Sequence, residues 1–212
     1  MTGKLRIALP KGRLFDQSIG LLSRVGIRIA DEPTNSRRLM FTDRDDKYEF
    51  IQLKPVDIPV YVESGAIDAG VVGSDIIREL ESDVYEPLDL QIGKCKLSLA
   101  APVGIELSFD RHLSIATKYP RTSDRFFKSR GAHVQIVRIE GSVEIAPLLG
   151  LADAIVDLVE TGRTLHENGL RIIEDIAQVS AKIIVNRTAM KTKARRINTL
   201  LSKLDAVIYA NT

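Results

Sequence analysis

Strand-like and helix-like stretches alternate along this chain almost from end to end. That alternation restricts it to α/β architectures with largely parallel sheets. Leu5–Leu9 is a short apolar run closed by the turn Pro10-Lys11-Gly12-Arg13. Phe15, Ile19, Leu22 and Val25 then recur at helical spacing until Gly26 stops the pattern. The polar stretch Asp31–Asp46, with Arg37, Arg38, Asp43, Arg44, Asp45 and Asp46, reads as a hairpin or mobile loop. Phe50–Leu53 predicts a strand, and Val56–Ser64 a short helix with Pro59 near its first turn and Gly65 at its end. Ala69–Val72 predicts a strand that runs into Gly73-Ser74-Asp75 and a helix through Glu81.

Near Lys94 the texture shifts. Lys96–Val103 predicts a long strand leaving the first sheet, followed by a strand at Ser114–Thr117 and a helix at Tyr119–Arg130 opened by Pro120. Val134–Ile139 reads as a strand, Val143–Leu149 as a short helix, and Ala154–Val159 as a buried strand with a glycine-containing loop behind it. Ile172–Val179 and Lys182–Asn186 carry the chain back, and Ala194, Ile197, Leu200, Leu201, Leu204 and Ile208 share one face of a last helix. The simplest architecture is two lobes joined by two crossover strands, 1–93 with 182–212 and 94–181, with ligand expected between them. No internal repeat stands out.

Composition narrows the function. A net charge of +2 argues against a broad nucleic-acid surface. No apolar run approaches the length of a membrane span, and Lys11 and Arg13 follow Leu5–Leu9 too closely for a signal peptide. The expectation is a soluble, cytoplasmic protein. The sole cysteine, Cys95, begins a strand and reads as a small buried hydrophobe. His112, His133 and His166 have no metal-ligand spacing, and the basic run Lys191–Arg196 reads as a solvated helix face.

The most informative stretch is Asp157-Leu158-Val159-Glu160-Thr161-Gly162-Arg163-Thr164-Leu165. A buried strand ends in acidic residues, turns through Thr-Gly-x-Thr, and opens a helix. Gly162 allows close backbone approach, and the N–H groups of 161–165 are unpaired at a helix start, where the dipole also favours an anion. Thr161 and Thr164 add hydroxyl donors. Asp157 and Glu160 would repel a bare phosphate. They suit a ligand that also presents ribose hydroxyls, or a Mg²⁺ already carried on its phosphates. A phosphorylated ribose bearing pyrophosphate meets both demands.

Four blocks, in order, carry a resemblance over essentially the whole chain. They are Ala8–Leu14, Asp57–Glu63, Gly65–Asp75, and Gly141-Ser142-Val143-Glu144 with Ala146-Pro147 leading through Gly150–Ala154 to Glu167-Asn168-Gly169-Leu170. Together they resemble the ATP phosphoribosyltransferase family, in its short form without a regulatory domain. The resemblance implies a periplasmic-binding-protein-like fold and attack of adenine N1 of ATP on phosphoribosyl pyrophosphate, the first step of histidine biosynthesis. It also implies Mg²⁺ bound mainly through substrate phosphates, and a regulatory subunit resembling histidyl-tRNA synthetase in a hetero-octamer.

On this reading Asp157, Glu160, Thr161, Gly162, Arg163, Thr164 and Leu165 bind phosphoribosyl pyrophosphate. Lys11, Gly12, Arg13, Lys54, Gly73, Ser74, Asp75, Ser142 and Glu144 serve ATP, and Lys11, Arg13 and Asp157 are the catalytic candidates. Lys54 stands where the family often has arginine, which keeps the charge and loses the two-pronged grip. Asp75 is equally readable as a helix cap. The rival from another class is a two-lobed solute-binding protein, and a third reading is a phosphoribosyltransferase acting on a free base.

Overall fold

A computed structural model describes residues 3–30, 38–110 and 112–210. In chain order its elements are β1 (Leu5–Pro10), α1 (Arg13–Arg24), β2 (Met40–Thr42), β3 (Tyr48–Leu53), a 3-10 turn at Pro55–Asp57, α2 (Ile58–Glu63), β4 (Ala69–Gly73), α3 (Ser74–Leu80) and β5 (Tyr85–Asp89). There follow β6 (Cys95–Pro102), β7 (Leu113–Thr117), α4 (Pro120–Ser129), β8 (Val134–Arg138), α5 (Ile145–Leu148), β9 (Ala154–Val159), α6 (Arg163–Glu167) and β10 (Leu170–Val179). The chain closes with β11 (Ala181–Val185), α7 (Arg187–Thr192) and α8 (Ala194–Tyr209). It divides into two compact units, Met1–Gly93 with Ser180–Thr212, and Lys94–Val179.

The first unit holds a mixed sheet in the order β2-β3-β1-β4-β11-β5. Strands β3, β1 and β4 are parallel, while β2 pairs antiparallel with β3 and β11 antiparallel with both β4 and β5. Helices α1 and α8 cover one face, where Leu5, Ile7, Leu9, Phe50 and Val71 meet Leu21, Leu22, Ile197, Leu200 and Leu204. On the other face Ile58 and Val62 of α2 pack on Ala8 and Val72. They come so close that a Cβ on Gly70 would lie 2.6 Å from Ile58 Cγ2, which is why that position carries no side chain.

The second unit is a mixed sheet in the order β10-β6-β9-β7-β8, parallel from β9 through β8. One face packs Leu97, Leu99, Leu113, Ile115 and Val156 against Phe127 of α4. The other is a smaller cluster of Ala100, Ala116, Ala146, Ile155, Val159 and Leu165, whose alanines let α5 and α6 lie close to the sheet.

Several expectations change. Of the polar stretch Asp31–Asp46, residues 31–37 lie outside the described residues. The rest forms a β2–β3 hairpin, in which the Asp43 carboxylate accepts N–H bonds from Asp45, Lys47 and Tyr48. The edge strand β5 shows no alternation because only Leu88 is buried. Helix α7 arises from Asn186, whose side chain accepts from the N–H groups of Thr188 and Ala189 and donates to the Val62 carbonyl. The basic run is not simply a solvated face, since Lys193 donates to both oxygens of the buried Asp68 at 2.8 and 2.7 Å.

The two units repeat one motif. In each, a central strand (β1 or β7) leads through a helix to its neighbour on one side (β3 or β8). A further helix leads to the neighbour on the other side (β4 or β9), beside which lies an antiparallel strand (β11 or β6). The match reaches individual hydrogen bonds. Gly65-Ala66-Ile67-Asp68-Ala69-Gly70-Val71 corresponds to Gly150-Leu151-Ala152-Asp153-Ala154-Ile155-Val156. Gly65 and Gly150 end α2 and α5 in left-handed conformation, at φ 77° and 70°. Asp68 accepts the N–H of Arg6 at 2.9 Å, and Asp153 that of Ser114 at 2.8 Å, each at the second residue of the central strand. The repeat agrees only at Gly, Asp, Ala and Val, too little to see without the fold.

Candidate functional site

In open α/β sheets, ligands bind beyond the carboxyl end of the strand where the connections diverge to opposite sides. Both units have such a point, at the ends of β1 and β7.

In the first unit, β1 ends at Pro10 and the Lys11 N–H donates to the Leu53 carbonyl at 2.9 Å. Gly12 follows at φ 85°, ψ −160°, a region essentially closed to other residues, and α1 starts at the next residue. Lys11, Gly12, Arg13 and Lys54 are all exposed, Lys54 at the end of the adjacent β3. Three cations and the amino end of a three-turn helix therefore share one sheet edge, an arrangement suited to polyphosphate.

The end of β4 is occupied differently. Ser74 is buried, its N–H donating to the Ser180 carbonyl at 2.9 Å and its Oγ accepting from the Ser180 N–H at 3.3 Å. Asp75 is buried in the first turn of α3 and is not its cap, a position held by Gly73 without a side-chain bond. A Cβ on Gly73 would lie 2.1 Å from Asp75 Oδ1, so the glycine is what admits that carboxylate.

In the second unit, Gly162 stands at φ 76°, ψ 0° ahead of α6, and its carbonyl accepts the His166 N–H at 3.0 Å. Among the described residues no acceptor meets the N–H groups of Thr164 and Leu165. The Arg163 N–H is turned to Thr161 Oγ1 at 3.4 Å. Helix α6 has only five residues, so its dipole is slight, and anion binding here falls to individual N–H and hydroxyl donors. Leu165 is buried and anchors the loop. The exposed Arg163 guanidinium pairs with Glu167 at 2.7 Å, which leaves Arg163 to contribute mainly its backbone. Ser142 is exposed at φ 49°, and Glu144 is half-buried at the start of α5.

Asp157 is the electrostatic centre of this unit. Its side chain is 17% exposed, and Oδ1 is sealed from solvent without a hydrogen bond. Burial pushes its carboxyl above the usual range, opposed by Lys118, whose Nζ lies 3.6 Å from Oδ1, and reinforced by the charge of Glu144. Lys118 escapes sequence reasoning because nothing in Thr117-Lys118-Tyr119 marks it; only the pairing of Thr117 with Val156 brings it beside Asp157.

A polar row crosses the sheet here: Asp175 faces Ser98, Ser98 faces Asp157, and Lys118 follows. Ser98 Oγ donates to Asp175 at 2.8 Å and Lys96 pairs with it at 2.5 Å, holding the Asp175 carboxyl below the usual range. Asp157 receives neither. The three histidines are exposed, Cys95 packs on the second unit's core, and the described residues include no cluster of three metal-binding side chains. No helix among them is long and apolar enough to cross a membrane.

The family model described as ATP phosphoribosyltransferase (HisG) matches residues 54–206. An ATP phosphoribosyltransferase of Oceanobacillus iheyensis is 48% identical over 202 residues, covering 95% of this chain and 97% of that one. The solved ATP phosphoribosyl transferase (HisG:HisZ) complex of Thermotoga maritima superposes with a TM-score of 0.84 at 34% identity, over 96% of this chain and 98% of that one. The alkanesulfonate-binding protein SsuA of Xanthomonas axonopodis pv. citri gives 0.57 at 12% identity, over 99% of this chain and 75% of that one, a likeness of fold alone. The chain belongs to the ATP phosphoribosyltransferase family.

Proposed function

We propose that this chain condenses ATP with phosphoribosyl pyrophosphate at adenine N1, giving N1-(5-phosphoribosyl)-ATP and pyrophosphate in the first step of histidine biosynthesis. The observation that carries this reading is the Gly162 turn. Among the described residues it leaves the Thr164 and Leu165 N–H groups without an acceptor, and it follows the strand that holds Asp157 and leads into Glu160. An anion cradle beside carboxylates suits a sugar phosphate, with the 5-phosphate on residues 161–165 and the ribose hydroxyls toward Asp157 and Glu160.

Adenine N1 carries a free lone pair at neutral pH, so no side chain need deprotonate it. The transition state develops oxocarbenium character, and what the protein supplies is alignment and charge. Lys11 and Arg13 offset the phosphates of ATP and of the leaving pyrophosphate, with Lys54 beside them as a point charge; Gly73, Ser74, Asp75, Ser142 and Glu144 complete the proposed nucleotide contacts. Since Ser74 Oγ already accepts from Ser180, its share would be a donated hydroxyl hydrogen. Magnesium, carried mainly on the substrate phosphates, supplies further neutralisation.

The alignment covers 97% of the O. iheyensis relative, so the proposed activity is drawn from a match over nearly its whole length. The T. maritima relative was solved as a HisG:HisZ complex. By the same logic this chain works with a regulatory subunit resembling histidyl-tRNA synthetase, in a hetero-octamer in the cytoplasm. Pyrophosphate release, measured with ATP, adenine or guanine as acceptor and with or without that partner, tests the proposal. Release with ATP alone, strengthened by the partner, is expected; turnover of a free base would overturn it.

A further inference from the structure

Asp157 stands where the fold asks for an apolar side chain. Its counterpart in the first unit is Val72, which is fully buried on the same face of the equivalent strand. A carboxylate in that place loses hydration, and its sealed Oδ1 accepts no hydrogen bond in return. Buried acceptors without donors are uncommon, and one at a sheet's ligand-binding edge fits a donor that arrives with the ligand.

Among the described residues the cation beside it is Lys118. Lys118 directly follows β7 as Lys11 directly follows β1, so the same station of the repeated motif carries a lysine in both units. Its backbone is fixed on both sides. Thr117 Oγ1 donates to the Val156 carbonyl at 2.6 Å and accepts the Tyr119 N–H at 2.9 Å. The ammonium also lies 5.1 Å from the Tyr119 ring centroid. At 3.6 Å it is too far for a good hydrogen bond to Oδ1 and near enough to balance the charge.

We propose that Lys118 is a positioning residue of the phosphoribosyl site, holding Asp157 as a charged acceptor whose carboxylate takes a sugar hydroxyl of the ligand. This rests on the reading of the second unit as the phosphoribosyl pyrophosphate site. The charged groups acting on Asp157 are Lys118 at the end of β7 and Glu144 at the start of α5; burial and Glu144 both favour the protonated carboxyl, and Lys118, helped by the Leu158 N–H, opposes them. Without the lysine, the ligand would have to bind a carboxyl that is more often protonated.

Lys118→Met keeps the apolar stem and removes the charge; Lys118→Gln serves if that variant does not fold. Calorimetric affinity for phosphoribosyl pyrophosphate with magnesium should fall about tenfold at pH 8 and further at pH 6, each relative to the wild-type chain at the same pH. ATP affinity should stay within about twofold, and Lys118→Arg should recover most of the loss. Unchanged sugar-phosphate binding would overturn the proposal. So would an equal loss at both pH values, because a cation acting directly on phosphate behaves that way. Asp157→Asn separates the two levels: if it too binds normally, the phosphoribosyl assignment fails, and not the role of Lys118 alone.

Discussion

The two units share a scaffold down to the aspartate that ties the start of each central strand, yet their binding edges carry opposite chemistry. The first presents Lys11, Arg13 and Lys54 around the start of a three-turn helix. The second presents Asp157, Glu160 and two threonines around a one-turn helix. What differs is a handful of side chains at equivalent stations, such as Val72 against Asp157. The topology supplies a place where ligands can bind, and the residues set on it decide which ligand does.

The sharpest way to break that contrast is to strip the hydroxyls from the second edge. Hydrogen bonds to charged groups are each worth about 1.5–3 kcal/mol. Thr161→Ala combined with Thr164→Ala should therefore lower phosphoribosyl pyrophosphate affinity by about a hundredfold, with ATP affinity held, by titration calorimetry. Equal loss of both ligands would mean that the two edges do not divide the work. On the first edge, Arg13→Ala should reduce turnover by about tenfold while circular dichroism stays unchanged, and Arg13→Lys should recover only part, since an ammonium cannot grip phosphate in two prongs. Wild-type rates in the alanine variant would remove Arg13 from the site.

The glycines sharpen the comparison at the level of backbone. Gly12 occupies a conformation essentially reserved for glycine, and an added Cβ would meet nothing within 4 Å, so the effect of Gly12→Ala is purely conformational, about 1–3 kcal/mol. Gly162 is left-handed, where alanine costs about 1–2 kcal/mol, and its Cβ would make ordinary contact with Val159 and Ile172. Chemical denaturation should show Gly12→Ala to be the less stable of the two. The reverse order would mean that the turn after β1 relaxes on substitution.

Much of this was legible in the sequence, for reasons that also set its limits. Strands β1, β4 and β9 announce themselves because both faces are covered and they read as unbroken apolar runs. The Thr-Gly-x-Thr turn is visible because its chemistry is local. Strand β5, with three exposed residues at its start, and helix α7, built on the Asn186 cap, lack such a pattern. Lys118 was invisible for a different reason: its partner is thirty-nine residues on, the same offset that separates Ser114 from Asp153, and only register unites them. Ser74 was legible as a residue but its bond to Ser180 was not, because Ser180 stands between β10 and β11, where the chain returns from far along the sequence.

The smallest effect discriminates most finely. Because burial holds the Asp157 carboxyl above its ordinary value, the folded state binds that proton more tightly than the unfolded chain does. Stability then falls as pH rises from the ordinary aspartate value, about 3.9, through the raised one. Asp157→Asn should accordingly melt at a higher temperature than wild type at pH 7, with the advantage shrinking as the pH is lowered toward 4, even as sugar-phosphate binding is lost. Asp175, held below the usual range by Lys96 and Ser98, is the internal control of opposite sign: its stabilising contribution is present above the ordinary value and fades as pH falls, so Asp175→Asn should melt lower at pH 7. Two aspartates flanking one serine would thus move melting in opposite directions. If Asp157→Asn instead melted lower at pH 7, the pairing with Lys118 would outweigh the burial, and Asp157 would be a structural ion pair rather than a carboxylate kept at some expense for a ligand.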